Sequence, residues 1–221
     1  MKIYTYYQPI DRFLYQDQLI ALWQKSWKKQ GFEPIVLSLE DAQKHSFYQT
    51  YIQELKNLHL QIQKQQLTEY GLSCYNRWLA YATQEKEPFL VSDYDVINLN
   101  LKPESITIID QIHFMDRWCP CLVSGTPEQF QEFCKDIISL TKSNISKLQT
   151  INMHWYHDQE FVLNFKDVLT NKYIIDRCPI LWQKVKHYSH NDVQKIKNIT
   201  NIDELRIKLI KNAMQILNGV L

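Results

Sequence analysis

Glycine is scarce in this sequence of 221 residues, which contains only four. Phosphate-binding loops of the P-loop and dinucleotide-binding types need closely spaced glycines, because their backbone must approach the phosphates, and neither motif can be placed here. Charge of one sign is also lacking, since 25 basic and 24 acidic residues leave a formal net charge of +1. We therefore expect no nucleic-acid partner, and any anion must be bound locally.

Long apolar runs are absent as well. Residues 1–7 lack the apolar stretch of a signal peptide, and no later segment reaches the length of a membrane span. The sequence therefore predicts a cytoplasmic protein. The five cysteines are an odd number in a chain long enough to fold without disulfides, and Cys119 and Cys121 are too close for the common zinc spacing. We interpret the cysteines as buried free thiols.

Apolar residues, in contrast, are plentiful, with 45% hydrophobic and 13% aromatic residues. This content and the length predict one domain, residues 1–221. Short β-branched or aromatic runs alternate with helical patterns, which is typical of an α/β fold with a mostly parallel sheet flanked by helices. Strands are predicted at residues 3–7, 34–38, 89–91, 106–109 and 121–123. Helices are predicted at residues 18–30, 73–82, 127–140, 161–169 and 202–217, with one or two more between 40 and 68.

Two carboxylates, Asp93 and Asp95, follow directly after the apolar run 89–91. Ligands of open α/β sheets bind at the carboxyl ends of the strands. Two acidic side chains this close repel each other unless a cation lies between them, and a hard divalent ion binds carboxylate and diphosphate oxygens together. The alternative is a surface turn in which one aspartate caps a helix, but charged turns rarely follow so apolar a strand. The pair therefore indicates a metal site for a nucleotide diphosphate.

The residues around this pair resemble the GT-A glycosyltransferases, whose Asp-x-Asp motif ends a central strand and binds metal and donor. The similarity is closest at residues 75–80 (YNRWLA) and 88–96 (PFLVSDYDV). This resemblance implies a GT-A fold with a single central sheet, a hexosyltransferase-type enzyme and a nucleotide-diphosphate sugar as donor, with UDP favoured. It also implies Mn²⁺ or Mg²⁺ as the metal, and a glycan or another hydroxyl compound as the acceptor.

The resemblance further implies a third metal ligand, His187, from the segment 185–190. An imidazole nitrogen suits Mn²⁺ better than Mg²⁺. Lys186 and His190 would then lie near the diphosphate. Arg77 would reach the donor phosphates or brace the acidic turn, although an arginine paired with a structural carboxylate is equally common.

Residues of the donor pocket follow from the same resemblance. Ser92 and Tyr94 belong to the Asp-x-Asp turn and would contact the donor. GT-A enzymes hold the base and ribose on the residues at the end of the first strand, which are Thr5, Tyr6 and Tyr7 here. Packing against the sheet is the commoner fate of strand tyrosines, and this alternative stays open.

Four more residues are implied on the sugar and acceptor side. Ser124 and Gly125 would approach the donor sugar, or else form a helix-capping turn. Asp158 would act as the catalytic acid or base, with Glu160 as the second candidate, because inverting enzymes use a carboxylate to remove the acceptor proton. The alternative for Asp158 is an ordinary helix cap.

The sequence thus predicts a metal-dependent glycosyltransferase, with two rivals. A sugar-phosphate nucleotidyltransferase would share the sheet and the metal carboxylates, but it needs a glycine-rich basic loop after the first strand, and residues 4–12 contain no glycine. A non-catalytic nucleotide-sugar-binding protein would keep the same fold without turnover. Residues 194–221 have no role in the resemblance and are predicted to form a packing helix.

Overall fold

A computed structural model describes residues 1–10, 15–84, 86–116, 119–151, 157–176, 178–189 and 201–217. Its strands are β1 (Lys2–Tyr6), β2 (Glu33–Leu37), β3 (Phe89–Ser92), β4 (Val96–Asn98), β5 (His113–Phe114), β6 (Leu122–Gly125), β7 (Ile174–Ile175) and β8 (Val185–His187). Its helices are α1 (Gln16–Lys29), α2 (Leu39–Gln43), α3 (Tyr48–Gln63), α4 (Glu69–Ala82), α5 (Pro127–Ser143), α6 (Ile145–Thr150), α7 (Asp158–Leu169), α8 (Pro179–Trp182) and α9 (Ile202–Leu217).

Six strands form a central sheet in the order β2-β1-β3-β6-β5-β7. Strand β1 is parallel to β2 and β3, and β5 is parallel to β7. Strand β6 is antiparallel to both of its neighbours, β3 and β5. The predicted α/β class, with a mostly parallel sheet flanked by helices, is confirmed. Strands β4 and β8 form a separate two-stranded antiparallel ribbon. Three residues of the chain connect β3 of the central sheet to β4 of this ribbon.

Both faces of the central sheet are buried, as the alternation of side chains along a strand requires. Ile3 and Leu90 point into a core that α1, β4 and α9 complete. Tyr4 and Phe89, one position along, point into the other core, which is shared with α3, α4, α5 and α7. The apolar helix faces predicted from sequence therefore cover the two sides of one sheet.

Several helix boundaries follow from local chemistry. Gly31 adopts the left-handed conformation (φ 94°) just after α1, where a side chain would be strained. Helix α5 begins with the predicted cap, since Thr126 Oγ1 accepts a hydrogen bond from the backbone N–H of Gln129 at 3.3 Å and Pro127 follows at the first helical position.

One predicted strand is wrong. Residues 106–109 adopt no strand, because they follow a 3-10 turn (Pro103–Ser105) and have no ladder partner among the described residues. The sheet instead receives the two-residue β5, which is too short to produce a recognisable alternation. None of the helices in the described part of the chain combines the length and apolar character that crossing a membrane requires.

Candidate functional site

The Asp-x-Asp turn joins β3 to β4 at the carboxyl edge of the parallel strands. Three backbone hydrogen bonds hold it: Val96 donates to Asp93 (3.0 Å), Asp93 to Cys121 (2.9 Å) and Tyr188 to Asp95 (2.9 Å). The partners of the last two bonds belong to distant parts of the chain. The conformation of the turn is therefore set by tertiary structure rather than by the turn sequence alone.

The structure brings the three predicted metal ligands together. The ligand atoms of Asp93, Asp95 and His187 all lie within 4.8 Å of one another. His187 Nε2 is 3.2 Å from Asp95 Oδ1. The β4–β8 ladder causes this approach, because it pairs His187 with Val96, the residue next to Asp95.

His187 lies in a strongly negative environment. Burial lowers the pKa of an imidazole, but the charges of Asp95 and Asp93 outweigh this effect and raise the pKa of His187 to about 10. The histidine is therefore protonated at neutral pH in the metal-free protein, and it forms an ion pair with Asp95.

Arg77 of α4 connects two carboxylates from different parts of the chain. Its Nη1 is 2.5 Å from Asp93 Oδ1, and its Nη2 is 2.5 Å from Asp158 Oδ2. The indole N–H of the neighbouring Trp78 donates to the same Asp158 oxygen at 2.8 Å. Arg77 therefore braces the acidic turn through Asp93 and is at the same time paired with a structural carboxylate, that of Asp158.

Asp158 is buried beneath Arg77 and does not line the cavity next to the aspartates. Burial opposes its ionisation, but Arg77 and His157 lower its pKa below the ordinary value. A carboxylate whose oxygens face cationic and N–H donors, with 1% of its surface exposed, is poorly placed to take a proton from an acceptor. This geometry favours a positioning role over the predicted acid–base role.

The cap of α7 also differs from the sequence interpretation. His157, not Asp158, is the N-cap residue, and its Nδ1 accepts from the backbone N–H of Gln159 at 3.3 Å only when the imidazole is neutral. Glu160 closes the capping box, since its Oε2 accepts from the backbone N–H of His157 at 3.4 Å, and the same oxygen lies 2.9 Å from His157 Nδ1. Burial lowers the pKa of His157, but Asp158 and Glu160 raise it to about 9. Glu160 therefore stabilises the helix start and does not reach the cavity.

The structure adds a residue that sequence reasoning missed, Arg206 of α9. Its Nη2 is 2.5 Å from Asp95 Oδ2, and its Nε donates to the backbone carbonyl of Tyr188 at 2.8 Å. Only 2% of its surface is exposed. The sequence does indicate that Arg206 is buried, because it lies one helical turn before the apolar Ile210 on the same face of an amphipathic helix.

Helix α1 holds the turn from the other side. Trp23 Nε1 donates to Ser92 Oγ (2.8 Å), and Trp27 Nε1 donates to the backbone carbonyl of Val96 (3.0 Å). Gln16 Nε2 donates to the hydroxyl of Tyr94 (3.1 Å). Ser92 is therefore a buried anchor of the turn, with 2% exposure, rather than a ligand contact.

A cavity of about 140 Å³ opens beside the aspartates. Five of the predicted site residues line it: Tyr6, Arg77, Asp93, Tyr94 and Asp95. Sequence reasoning missed further lining residues, which include Gln8, Gln16, Tyr70, Cys74, Tyr81 and Arg206. The volume is below the roughly 300–1,000 Å³ of typical small-molecule sites, so the cavity is too small to enclose a ligand of ordinary size completely.

The first strand contributes one lining residue rather than three. Tyr6 faces the cavity and donates to Gln8 Oε1 at 2.8 Å. Thr5 is fully buried in the sheet. Tyr7 lies outside the cavity lining and packs edge-on against Tyr94, with ring centroids 6.2 Å apart.

Ser124 and Gly125 lie away from the site, contrary to the prediction that they approach the donor sugar. The antiparallel register pairs Gly125 with Phe89 and Ser124 with Leu90, at the opposite end of β3 from Asp93. If β6 were parallel to β3, its carboxyl end would lie at the same edge as Asp93, but the antiparallel direction places it at the other edge. Cys121, before β6, lies next to Asp93 instead.

Two basic residues of the C-terminal segment were expected near the diphosphate. Lys186 alternates with His187 along β8, is exposed, and stacks on the ring of Tyr188 at 5.0 Å. It does not line the cavity. His190 lies outside the described residues.

The donor set fits a divalent ion such as Mn²⁺, since two carboxylates and an imidazole are ligands that this ion accepts. Arg77 and Arg206 each occupy one oxygen of an aspartate, so the second oxygen of each carboxylate lies outside these two arginine contacts. Four cationic groups, counting protonated His187 and His157, face the three carboxylates of Asp93, Asp95 and Asp158. An arriving ion must therefore compete with positive charge already in place.

Comparisons with known proteins add little to this geometry. A family model described as "Domain of unknown function (DUF8765)" matches residues 1–105. No curated protein matches the chain. Among solved structures, the chain is similar to the apo-form glycosyltransferase GlyE of Streptococcus pneumoniae TIGR4, with 11% sequence identity and a TM-score of 0.45. The match covers 78% of this chain and 44% of GlyE, so the chain spans less than half of that protein.

Proposed function

We propose that this chain is a metal-dependent, hexosyltransferase-type glycosyltransferase that moves a sugar from a nucleotide-diphosphate sugar to an acceptor hydroxyl, with a UDP-sugar favoured as donor. One observation carries the proposal: Asp93, Asp95 and His187 converge within 4.8 Å beside a cavity at the carboxyl edge of β1 and β3. This edge is where open α/β sheets bind their ligands.

The roles of the residues follow from their positions. Asp93, Asp95 and His187 would hold Mn²⁺ or Mg²⁺. When bound, such an ion neutralises charge on the leaving diphosphate. Arg77 and Arg206 both line the cavity and bring two further positive charges to the same place. Tyr6 and Tyr94 offer aromatic surface for the base or the sugar.

Asp158 acts in this proposal through Arg77. Its carboxylate fixes the guanidinium by contacts to Nε (2.7 Å) and Nη2 (2.5 Å), which directs Nη1 toward Asp93. Asp158→Asn should therefore weaken donor binding as well as turnover. An acid–base role predicts the opposite pattern, in which turnover falls and metal-dependent binding persists.

The test of metal-dependent donor binding is calorimetry of UDP with Mn²⁺ and, separately, with EDTA. We expect measurable binding only with Mn²⁺, and loss of that binding in Asp95→Asn. The control is Asp176→Asn, which alters an exposed aspartate paired with His113 and should leave binding unchanged. Equal binding with Mn²⁺ and with EDTA would refute the proposed metal site.

A non-catalytic nucleotide-sugar-binding protein is the second candidate, and one observation favours it. Among the described residues that line the cavity, the carboxylates are Asp93 and Asp95, and both are ion-paired with arginines. No further carboxylate among these described lining residues is in place to remove an acceptor proton. Hydrolysis or transfer of UDP-sugars by the Mn²⁺-loaded protein separates the candidates, because binding without turnover supports the second.

A thermal-shift screen of nucleotide-sugars with Mn²⁺ would identify the donor. A ligand that binds only the folded state raises the melting temperature by an amount that grows with the logarithm of its concentration relative to its Kd. UDP-sugars are expected to give the largest shift. The nucleotidyltransferase alternative has no support in the residues after β1, because Gln8 and Ile10 line the cavity where a glycine-rich loop would be needed.

A further inference from the structure

A second group of metal-binding side chains lies next to the aspartates. The ligand atoms of Cys119, Cys121 and His187 are all within 4.8 Å of one another. Both cysteines are free thiols. His187 belongs to this group and to the group formed with Asp93 and Asp95, so two sets of donors of different chemical character share one imidazole.

The strand ladders place this group as firmly as the aspartates. The antiparallel β3–β6 register pairs Ser92 with Leu122, which puts Cys121 opposite Asp93. The backbone N–H of Asp93 donates to the carbonyl of Cys121 at 2.9 Å. Cys119 precedes Cys121 by two residues, and the two thiols are close enough to interact with each other. Backbone hydrogen bonds thus hold Cys121 and the strand of His187, and Cys119 follows from its place two residues before Cys121.

The donor type decides which ion fits. Thiolate sulfur selects soft or borderline metals such as Zn²⁺, whereas carboxylates suit Mn²⁺ and Mg²⁺. Two cysteines and one histidine are three ligands of a tetrahedral zinc site, which leaves the fourth position for water or another group. Cys119 and His187 are half-buried, so an ion can reach them, while Cys121 is fully buried.

We propose that Cys119, Cys121 and His187 form a binding site for a thiophilic divalent ion, Zn²⁺ being the natural choice, and that this ion withdraws His187 from Asp95. Each thiol that binds as thiolate releases its proton to solvent, the protonated His187 releases one as well when it binds as neutral imidazole, and no oxidation state changes. The zinc site itself does not depend on the proposed sugar transfer. The effect of this ion on the aspartate site does rest on the proposed function, because an ion held by the cysteines removes His187 from the ligands of that site.

The site can be tested with Co²⁺, which reports thiolate ligands by charge-transfer absorption in the near ultraviolet. The full chain is stripped of metal, reduced with a phosphine and titrated with Co²⁺. We expect this absorption to appear and to disappear on addition of Zn²⁺. Absence of the absorption in the wild-type protein overturns the proposal.

Variants identify the ligands. Cys119→Ser should lower the Co²⁺ affinity roughly tenfold or more, and it is preferred to Cys121→Ser because Cys119 is not fully buried. The matched control is Cys178→Ser, since Cys178 is also a half-buried free thiol. Thermal melting verifies that each variant is folded. Equal Co²⁺ binding by Cys119→Ser and Cys178→Ser contradicts the assignment.

Competition of the two sites for His187 is measured separately, through the electron paramagnetic resonance signal of free Mn²⁺. Zn²⁺ should release bound Mn²⁺ from the wild-type protein at roughly tenfold lower concentration than from Cys119→Ser, because Zn²⁺ also displaces Mn²⁺ directly from carboxylate–imidazole sites. If Zn²⁺ binds to the cysteines and Mn²⁺ stays bound, the competition is refuted. If the protein never binds Mn²⁺, the proposed aspartate site fails, while the Co²⁺ absorption still decides the cysteine site. Asp95→Asn should lose Mn²⁺ and keep the Co²⁺–thiolate absorption.

Discussion

At the scale of single residues, Arg77 shapes the candidate site most strongly. One guanidinium contacts Asp93 and Asp158, which lie 16 and 81 residues further along the chain. Its planar, forked geometry allows this, because its N–H groups point in fixed and different directions. An ammonium group is a point charge at the end of a flexible chain and cannot hold both carboxylates in the same way.

Replacing Arg77 by lysine tests this dependence. We expect Arg77→Lys to lower the free energy of unfolding by roughly 3 kcal/mol, since one buried carboxylate loses its charged partner. Urea denaturation measures the change. The control is Lys142→Ala, which removes an exposed pair with Glu54 and should cost below about 1 kcal/mol. Similar losses in both variants would show that burial adds nothing to the Arg77 contacts.

His157 makes the stability of the fold depend on pH. Its pKa is about 9 in the folded protein, against about 6.5 in an unfolded chain. Because the folded value is the higher one, the stabilisation is fully present below about pH 6.5 and is lost as the pH rises through 9. The expected loss is roughly 3 kcal/mol.

The measurement is urea denaturation at pH 6 and pH 9.5 for the wild-type protein and His157→Asn. Asparagine keeps a helix N-cap but does not titrate. We expect the wild-type protein to lose more unfolding free energy over this interval than the variant does. Parallel pH profiles of the two proteins would rule out the ion pairs of His157 as the cause.

At the scale of secondary-structure elements, α1 determines the position of the Asp-x-Asp turn. Two indole N–H groups from this helix bind Ser92 and Val96, on either side of the aspartates. The prediction concerns Trp27→Phe, which keeps an aromatic ring but removes the indole N–H that bonds to Val96 and part of the buried ring volume. It should cost at least about 1–2 kcal/mol of stability and speed amide exchange in residues 93–98. Trp182→Phe is the control, because it loses a comparable bond to Met115 without affecting exchange in the turn.

The elements also show what a single sequence can and cannot predict. The apolar run before Asp93 and the spacing around Trp23, Trp27 and Trp78 identify strand and helix correctly, because burial of one face produces a pattern within one segment. The direction of β6 leaves no such pattern. Antiparallel and parallel strands can have the same composition, so the sequence did not show that Ser124 and Gly125 lie at the end of the sheet away from Asp93.

At the scale of the whole molecule, the site is assembled from segments far apart in sequence. The convergence of Asp93, Asp95 and His187 followed from the family resemblance, which ordered the motifs along the chain. Arg206 could not be found in this way, since residues after 193 had no counterpart. An arginine on an apolar helix face indicates a buried acidic partner. Only the packing of α9 beside α1 identifies that partner as Asp95.

The packing of α9 leads to a prediction about metal affinity. Arg206 occupies Asp95 Oδ2, so removing its charge should make the aspartate pair more attractive to a cation. We expect Arg206→Met, which preserves apolar packing, to bind Mn²⁺ roughly tenfold more tightly in the absence of nucleotide, or about 1.4 kcal/mol. Lys208→Met is the control, because Lys208 is exposed on the same helix. Unchanged Mn²⁺ affinity in Arg206→Met would mean that the guanidinium does not compete with the ion.

The contact of Arg206 with Asp95 also fixes the order of events during synthesis. These two residues are separated by 111 positions, and a ribosome adds about 5–20 residues per second. Asp95 is therefore synthesised roughly 5–20 s before the arginine that contacts it. For that interval the nascent chain carries an acidic turn without its C-terminal arginine, and the turn can reach its final geometry only after α9 has been translated.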